Sequence, residues 1–151
     1  MTPNENFELK VTVVMAVYNG CRYLKEQLDS VLADLCANDE IVIVDDASTD
    51  GSAQLIGSYS DQRIRYVRNQ VNMGVRKTFE RGLELAEKDV LFLCDQDDVW
   101  MLGKRKAVIN VFANQQQCAL VVHDAEVIDA KGNLTHASFM NLRGGFESAV
   151  F

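Results

Sequence analysis

The stretch "VLFLCDQDDVW", residues 90–100, runs four apolar residues and a cysteine directly into Asp95, Asp97 and Asp98. Its apolar half reads as a buried strand. Its acidic half sets three carboxylates within four positions, where that strand would end. Two carboxylates about 5 Å apart repel by roughly 3 kcal/mol at an effective dielectric of about 20. A fold gains nothing from such crowding unless a positive charge sits between the groups. A divalent cation held by Asp95 and Asp97 is one answer, because Mg²⁺ and Mn²⁺ take carboxylate oxygens and keep sites for phosphates. A solvated acidic loop capping the next helix is the other.

Outward from this stretch, apolar β-branched runs alternate with segments of helical period. "LKVTVVMAVY" (9–18) reads as a buried strand, and "CRYLKEQLDSVLA" (21–33) sets Cys21, Leu24, Leu28, Val31 and Leu32 on one helical face. "EIVIVDD" is a second strand, "GSAQLIGSYS" a short helix, and "RIRYVRN" an edge strand by its polar–apolar alternation. "VRKTFERGLELAEK" opposes Val75, Phe79, Leu83 and Ala86 to a charged face. "VLFLCD" is the fourth strand and "GKRKAVINVFANQ" a helix burying Ala107, Val108, Val111 and Phe112. "CALVVHD" (118–124) is a fifth strand, and a hairpin follows that turns at Lys131-Gly132-Asn133. Residues 141–151 show no readable pattern. The alternation predicts an α/β fold, a mostly parallel sheet with helices on both faces.

Composition narrows the class. A chain of 151 residues, 48% hydrophobic and 25% charged, is expected to be one globular domain, residues 1–151. The net charge of −7 argues against nucleic acid and against a polybasic membrane patch. Four scattered cysteines without CxxC spacing suggest neither a disulfide framework nor a zinc site, which favours a reducing compartment. No signal-like leader is visible, and no apolar run reaches the roughly 18 residues of a membrane span. Cytoplasmic location is the expectation.

In open α/β sheets the ligand crevice lies at the carboxyl ends of the strands. Those ends here carry Tyr18-Asn19-Gly20, Asp45-Asp46, Asp95–Asp98 and His123-Asp124. Asp46 suits ligand contact, since a carboxylate accepts the N–H donors of a nucleobase edge. Asp50, Ser48 and Thr49 suit a helix cap instead. The Tyr18 ring suits either stacking on a base or core packing. Arg68, Arg76 and Lys77 flank a turn at Asn72–Gly74, where a cation would face a diphosphate or simply solvent. His123 and His136 have no partner at ligand spacing.

In this order, "VTVVMAVYNG", "EIVIVDDASTDGS", "NQVNMGVRKTFERGLELA", "VLFLCDQDDVW" and "VVHDAEVID" resemble the family 2 glycosyltransferases of GT-A (Rossmann-like) fold, over about residues 10 to 130. Ala16 stands where that family usually has Pro. The resemblance implies a nucleotide-sugar donor, with Ala16 and Tyr18 at base and ribose and Asp46 accepting from the base. It makes Asp95 and Asp97 the DxD pair, with Asp97 the direct ligand of Mg or Mn, Asp95 on ribose or sugar, and Arg76 a diphosphate candidate. It further implies inverting transfer to a saccharide or lipid-linked acceptor in surface polysaccharide synthesis, with peripheral membrane association in a full-length protein. "DQDDVW" is similar to bacterial rhamnosyltransferases, hence a dTDP-rhamnose-like donor.

The family's catalytic base belongs to an acceptor-binding half, and no segment here matches it; Asp124, Glu126 and Glu147 lack that context. A donor-binding fragment with weak or absent transfer is therefore the expectation. Three rivals stand beside it: a nucleotide-sugar-binding module without catalysis, a haloacid-dehalogenase-like phosphatase reading "DQDDV", and a receiver-like phospho-switch reading "VDD". In the last two families the acidic motif ends the first strand, whereas here it ends the fourth and the second.

Overall fold

The computed structural model describes residues 9–144. Its elements are β1 (Val11–Val17), α1 (Cys21–Asp34), β2 (Glu40–Asp45), α2 (Ser52–Gly57), β3 (Ile64–Arg68), α3 (Val75–Leu85), β4 (Val90–Asp95), α4 (Lys104–Asn114), β5 (Val127–Ile128), β6 (Leu134–His136) and α5 (Phe139–Leu142). The chain divides into two compact units, residues 1–109 and 110–151. No helix of the described residues is long and apolar enough to cross a membrane.

The first unit is a four-stranded parallel sheet in the order β3-β2-β1-β4. β1 lies between two neighbours, and all seven of its residues are buried, which explains why it is apolar on both faces save for Thr12, whose hydroxyl donates to Glu40 at 2.6 Å. β3 forms an edge, as its alternation predicts. Gln27 of α1 reaches Cys94 of β4, so α1 lies on the face of Met15 and Cys94, which are register partners. α3 lies on the opposite face, where Gly82 meets Val14 and Val44. Helices thus cover both faces.

Several apolar patterns resolve differently from the expectation. α3 buries Thr78 and Gly82 rather than the Val75–Phe79–Leu83 stripe; Val75 is 64% and Leu83 39% exposed. The small residues win because α3 approaches the sheet so closely that a Cβ at position 82 would stand 2.3 Å from Val14 Cγ1. β4 is buried on one face only. Val90, Phe92 and Cys94 point inward while Leu91 and Leu93 are exposed, because α3 packs over β1 and β2 rather than β4. α4 buries Arg105 and Val108, leaving Ala107 exposed.

Arg105 is buried because Asp39 is. The Asp39 carboxylate accepts Arg105 Nε at 2.6 Å and Nη2 at 3.0 Å, Val11 N at 2.9 Å and Cys36 N at 2.7 Å. One ion pair therefore ties the start of β1, the α1–β2 loop and the start of α4.

In the second unit, β5 and β6 form the antiparallel hairpin, turning through Gly132 at φ 81°. The expected fifth strand over 118–124 is not formed. That segment is irregular and mostly exposed, since β-branched composition yields a strand only where a neighbour supplies the ladder. Within 141–151, the first two residues close α5, which Ser138 caps by accepting Asn141 N. Residues 145–151, Glu147 among them, lie outside the described residues.

Two stability outcomes are expected in urea unfolding. Gly82→Ala overpacks the α3–sheet contact and lowers stability by about 1–3 kcal/mol. Asp39→Ala removes the carboxylate that accepts from buried Arg105, Val11 N and Cys36 N, and costs about 3–5 kcal/mol.

Candidate active site

The parallel register sets the geometry of the carboxyl edge. Val17 pairs with Asp45 and Ala16 with Asp95, so β1, β2 and β4 end nearly in step and their loops leave from one rim. Ala16 and Asp95 share the α3 face of the sheet. There a cleft of about 390 Å³ opens, lined by Ala16, Tyr18, Asp46, Gly74, Asp95 and Asp97, among others. Five of the six residues singled out from sequence therefore meet in one cavity. Arg76 stands in a neighbouring groove with Phe79, Glu80, Leu83, Glu84 and Leu93.

Asp46 builds one wall. Its side chain is buried, and its carboxylate accepts Asn69 Nδ2 at 2.7 Å, Met73 N at 2.8 Å and Gly74 N at 2.8 Å. Burial pushes its carboxyl up, but these donors, with Thr78, outweigh it and hold the group below the ordinary 3.8. Asp46 thus anchors the turn into α3, where Gly74 adopts φ 86°, ψ 156°. Most of its roughly four acceptor sites are occupied by the wall itself.

Asp45, wholly buried, faces away from this duty. It accepts Ser48 N and Tyr66 Oη, both at 2.8 Å, and pairs with Arg68 at 3.4 Å. Arg68 also donates to Ser48 O. Its charge is therefore used inside the β2–β3 edge. Lys77 is exposed on α3.

The β2–α2 loop is laced to the start of α1. Ser48 Oγ accepts Asn19 N, Ser52 Oγ accepts Gly20 N, and Asp50 Oδ2 accepts Cys21 N, each at 3.0 Å. In return Asn19 Oδ1 accepts Thr49 N at 2.8 Å. Asp50 thus serves two helix starts at once, since its other oxygen accepts Ser52 N of α2 at 2.9 Å, while Ser48 turns instead to the residues that lead into α1. Asn19 and Ala47 take positive φ of 49° and 61° at these sharp exits.

Asp95 and Asp97 occupy the opposite rim. Desolvation in the cleft, and then the charge of Asp97, push the Asp95 carboxyl above 3.8. The repulsion expected from "DQDD" is thus present, and the pair supplies hard oxygen donors to the cleft. Among the described residues no group of three or more His, Cys, Asp or Glu comes together. A cation here would draw at most two carboxylates from these residues and the rest of its shell from ligand oxygens or water.

Two positions beside the cleft escape a reading by residue type. Gln27 is wholly buried, and its Nε2 donates to Cys94 Sγ at 2.7 Å and Asp95 O at 2.9 Å. The available signal was its place within the Leu24–Leu28–Val31 stripe, where an amide needs a buried partner. Gln96, between the two acids, accepts Tyr18 N at 2.7 Å and donates to Tyr18 O at 3.1 Å. Nothing in its spacing announces this. Cys94 is buried, and that burial pushes its thiol up to about 12, despite Lys104 nearby.

Asp46 also predicts an acid response. Its folded carboxyl lies below the ordinary 3.8, so its contribution is present above that pH and is lost as pH falls through the folded value. Asp46→Ala, followed by thermal unfolding between pH 7 and 3, should cost about 1–3 kcal/mol at neutral pH and narrow its gap to the wild type at the acid end.

Known proteins share this fold and much of this sequence pattern. The family model described as "Glycosyl transferase family 2" matches residues 12–147. An uncharacterised glycosyltransferase of Nostoc is 35% identical over 123 residues, 80% of this chain and 38% of that protein. The putative teichuronic acid biosynthesis glycosyltransferase TuaG of Bacillus subtilis is 31% identical over 116 residues, 76% of this chain and 46% of that protein. The chain thus spans less than half of either relative. Among solved structures, S. aureus TarS (residues 1–349) in complex with UDP-GlcNAc matches with TM-score 0.67 and 23% identity, over 80% of this chain and 40% of that one. The mannosyltransferase PcManGT of Pyrobaculum calidifontis, in complex with GDP-Man and Mn²⁺, matches with TM-score 0.60 and 25% identity, over 73% and 33%. The fold is that of these GT-A neighbours, the family model runs through both rims of the cleft, and the chain belongs to glycosyl transferase family 2.

Proposed function

We propose that this chain is the donor-binding part of a glycosyltransferase that moves a sugar from a nucleotide-sugar to a saccharide or lipid-linked acceptor in surface polysaccharide synthesis. The single observation that carries this is the convergence of Ala16, Tyr18, Asp46, Asp95 and Asp97 on one cleft at the carboxyl edge of the sheet. TuaG, named for teichuronic acid biosynthesis, supports the polysaccharide context, and the complexes with UDP-GlcNAc and GDP-Man support the donor class.

In this reading Tyr18, 48% exposed at the rim, offers its ring to the base, and Ala16 lines the floor beneath base and ribose. Asp46 holds the Met73–Gly74 wall and stands where an N–H of the base edge arrives. Asp95 faces ribose or sugar. Asp97, with Asp95, would hold Mg²⁺ or Mn²⁺; the repulsion between the two acids and their oxygen-only donor set fit such an ion. A bound divalent cation would supply charge stabilisation where the departing diphosphate grows negative, worth several kcal/mol of barrier. Arg76 is the weaker diphosphate partner, since it lines the adjoining groove. The base that takes the acceptor proton is assigned to the acceptor-binding half. The wording "DQDDVW" favours a dTDP-rhamnose-like donor.

The test is calorimetry with UDP-, GDP- and dTDP-sugars, each with and without Mn²⁺. Metal-dependent heat is expected with one nucleotide, weakened at least about tenfold in Asp97→Ala. Undiminished binding by that variant would overturn the metal assignment, and no binding by the wild type would overturn the donor site.

A further inference from the structure

We propose that Gln96 is a positioning residue that locks the turn bearing Asp95 and Asp97 to the rim bearing Tyr18, so that nucleotide and cation are gripped as one unit. The proposal rests on the donor-site reading above. Its basis is how the carboxamide is used. Oε1 accepts the Tyr18 N–H at 2.7 Å, and Nε2 donates to the Tyr18 carbonyl at 3.1 Å. One side chain thus treats one residue as a neighbouring strand's backbone would, meeting its donor and its acceptor together. An uncharged amide offers that pair of groups on two separate atoms; a carboxylate would oppose the Tyr18 carbonyl with a second acceptor.

A separate observation points to the same clamp. Gly20 has φ −99°, ψ 4°, a backbone that any residue adopts, so conformation does not require glycine there. Space does. A Cβ at position 20 would lie 2.3 Å from Gln96 Oε1 and 2.5 Å from its Cδ, and its three nearest neighbours all belong to Gln96. The absent side chain at position 20 is the seat of the Gln96 amide.

The consequence is mechanical. The peptide units that aim Asp95 and Asp97 flank Gln96 on either side. Asp95 O is already held by Gln27 at 2.9 Å, so β4 is fixed up to its last residue. Beyond it, the Gln96 amide ties the turn to the strand end that carries the base-stacking ring. Two ligands bound to groups held in one frame assist each other, and by linkage the assistance is mutual.

The test is titration of UDP, GDP and dTDP, with and without Mn²⁺, into the wild type, Gln96→Ala, Gly20→Ala and the double variant. Unfolding midpoints are recorded alongside. In the wild type Mn²⁺ raises the affinity for the best-bound nucleotide. In Gln96→Ala this metal-dependent gain should fall roughly 10-fold, the lower end of the loss seen when a group orienting metal ligands is removed. Gly20→Ala should reproduce the loss by displacing the amide, and the double variant should be no worse than Gln96→Ala. A purely architectural Gln96 would weaken metal-free and metal-loaded binding equally, and that result overturns the proposal. So do additive losses in the double variant. Should Gln96→Ala fail to fold, Gly20→Ala and the one-carbon-shorter Gln96→Asn carry the same comparison. A wild type that binds none of the three nucleotides refutes the donor site itself; nucleotide binding with an intact metal gain in the variants refutes only the role of Gln96.

Discussion

Parallel pairing of β1 with β2 on one side and β4 on the other is the constraint from which the site follows. Because Val17 faces Asp45 and Ala16 faces Asp95 across the ladder, three loops leave the sheet at one level. A register slip of one residue would turn Asp95 toward α1 and send Cys94 to the cleft face, since side chains alternate with a period of two. Thr12, the one polar residue of β1, marks that register, for its hydroxyl donates to Glu40, its partner across the ladder on β2.

The carboxyl edge is then stiffened by polar side chains acting on backbone. Asp46 holds Met73 and Gly74, Asp50 and Ser52 hold the first residues of α1, and Gln27 and Gln96 hold the end of β4 and the turn beyond it. Each contact joins segments distant in sequence, and each satisfies a group that would otherwise be stranded at a strand or helix end. At the far edge Asp39 and Arg105 do the same for the amino-terminal ends of β1 and α4. A cleft meant for a phosphorylated ligand gains from such rigidity, because oriented donors and acceptors need not reorganise when charge arrives.

Within this frame Asp95 is pushed up by its burial in the cleft and then by the charge of Asp97. The neighbouring acids are partnered by their surroundings: Asp45 by Arg68 and Tyr66, Asp46 by amide donors, Asp50 by Ser52 and Cys21 N. That contrast separates acids bonded into the wall from the pair on the opposite rim, and spacing alone could not draw it.

The amino-acid sequence by itself determined the order of elements through β4, the parallel class of the sheet and the collection of acids at its carboxyl edge. Apolar runs of strand length, helical stripes and turn residues encode these locally. It also carried the family, through five short motifs in order. Only the tertiary structure decided which apolar faces are covered. Thr78 and Gly82 of α3 pack while Val75 does not, Leu91 and Leu93 stay exposed, and 118–124 forms no strand, because burial depends on what lies opposite and not on composition. It likewise decided that Asp46 is bonded into the wall, that Arg68 pairs with Asp45, and that Gln27 and Gln96 bond to the backbone of Asp95 and Tyr18. Those roles arise from hydrogen bonds between residues 20 to 80 positions apart, which no local pattern records.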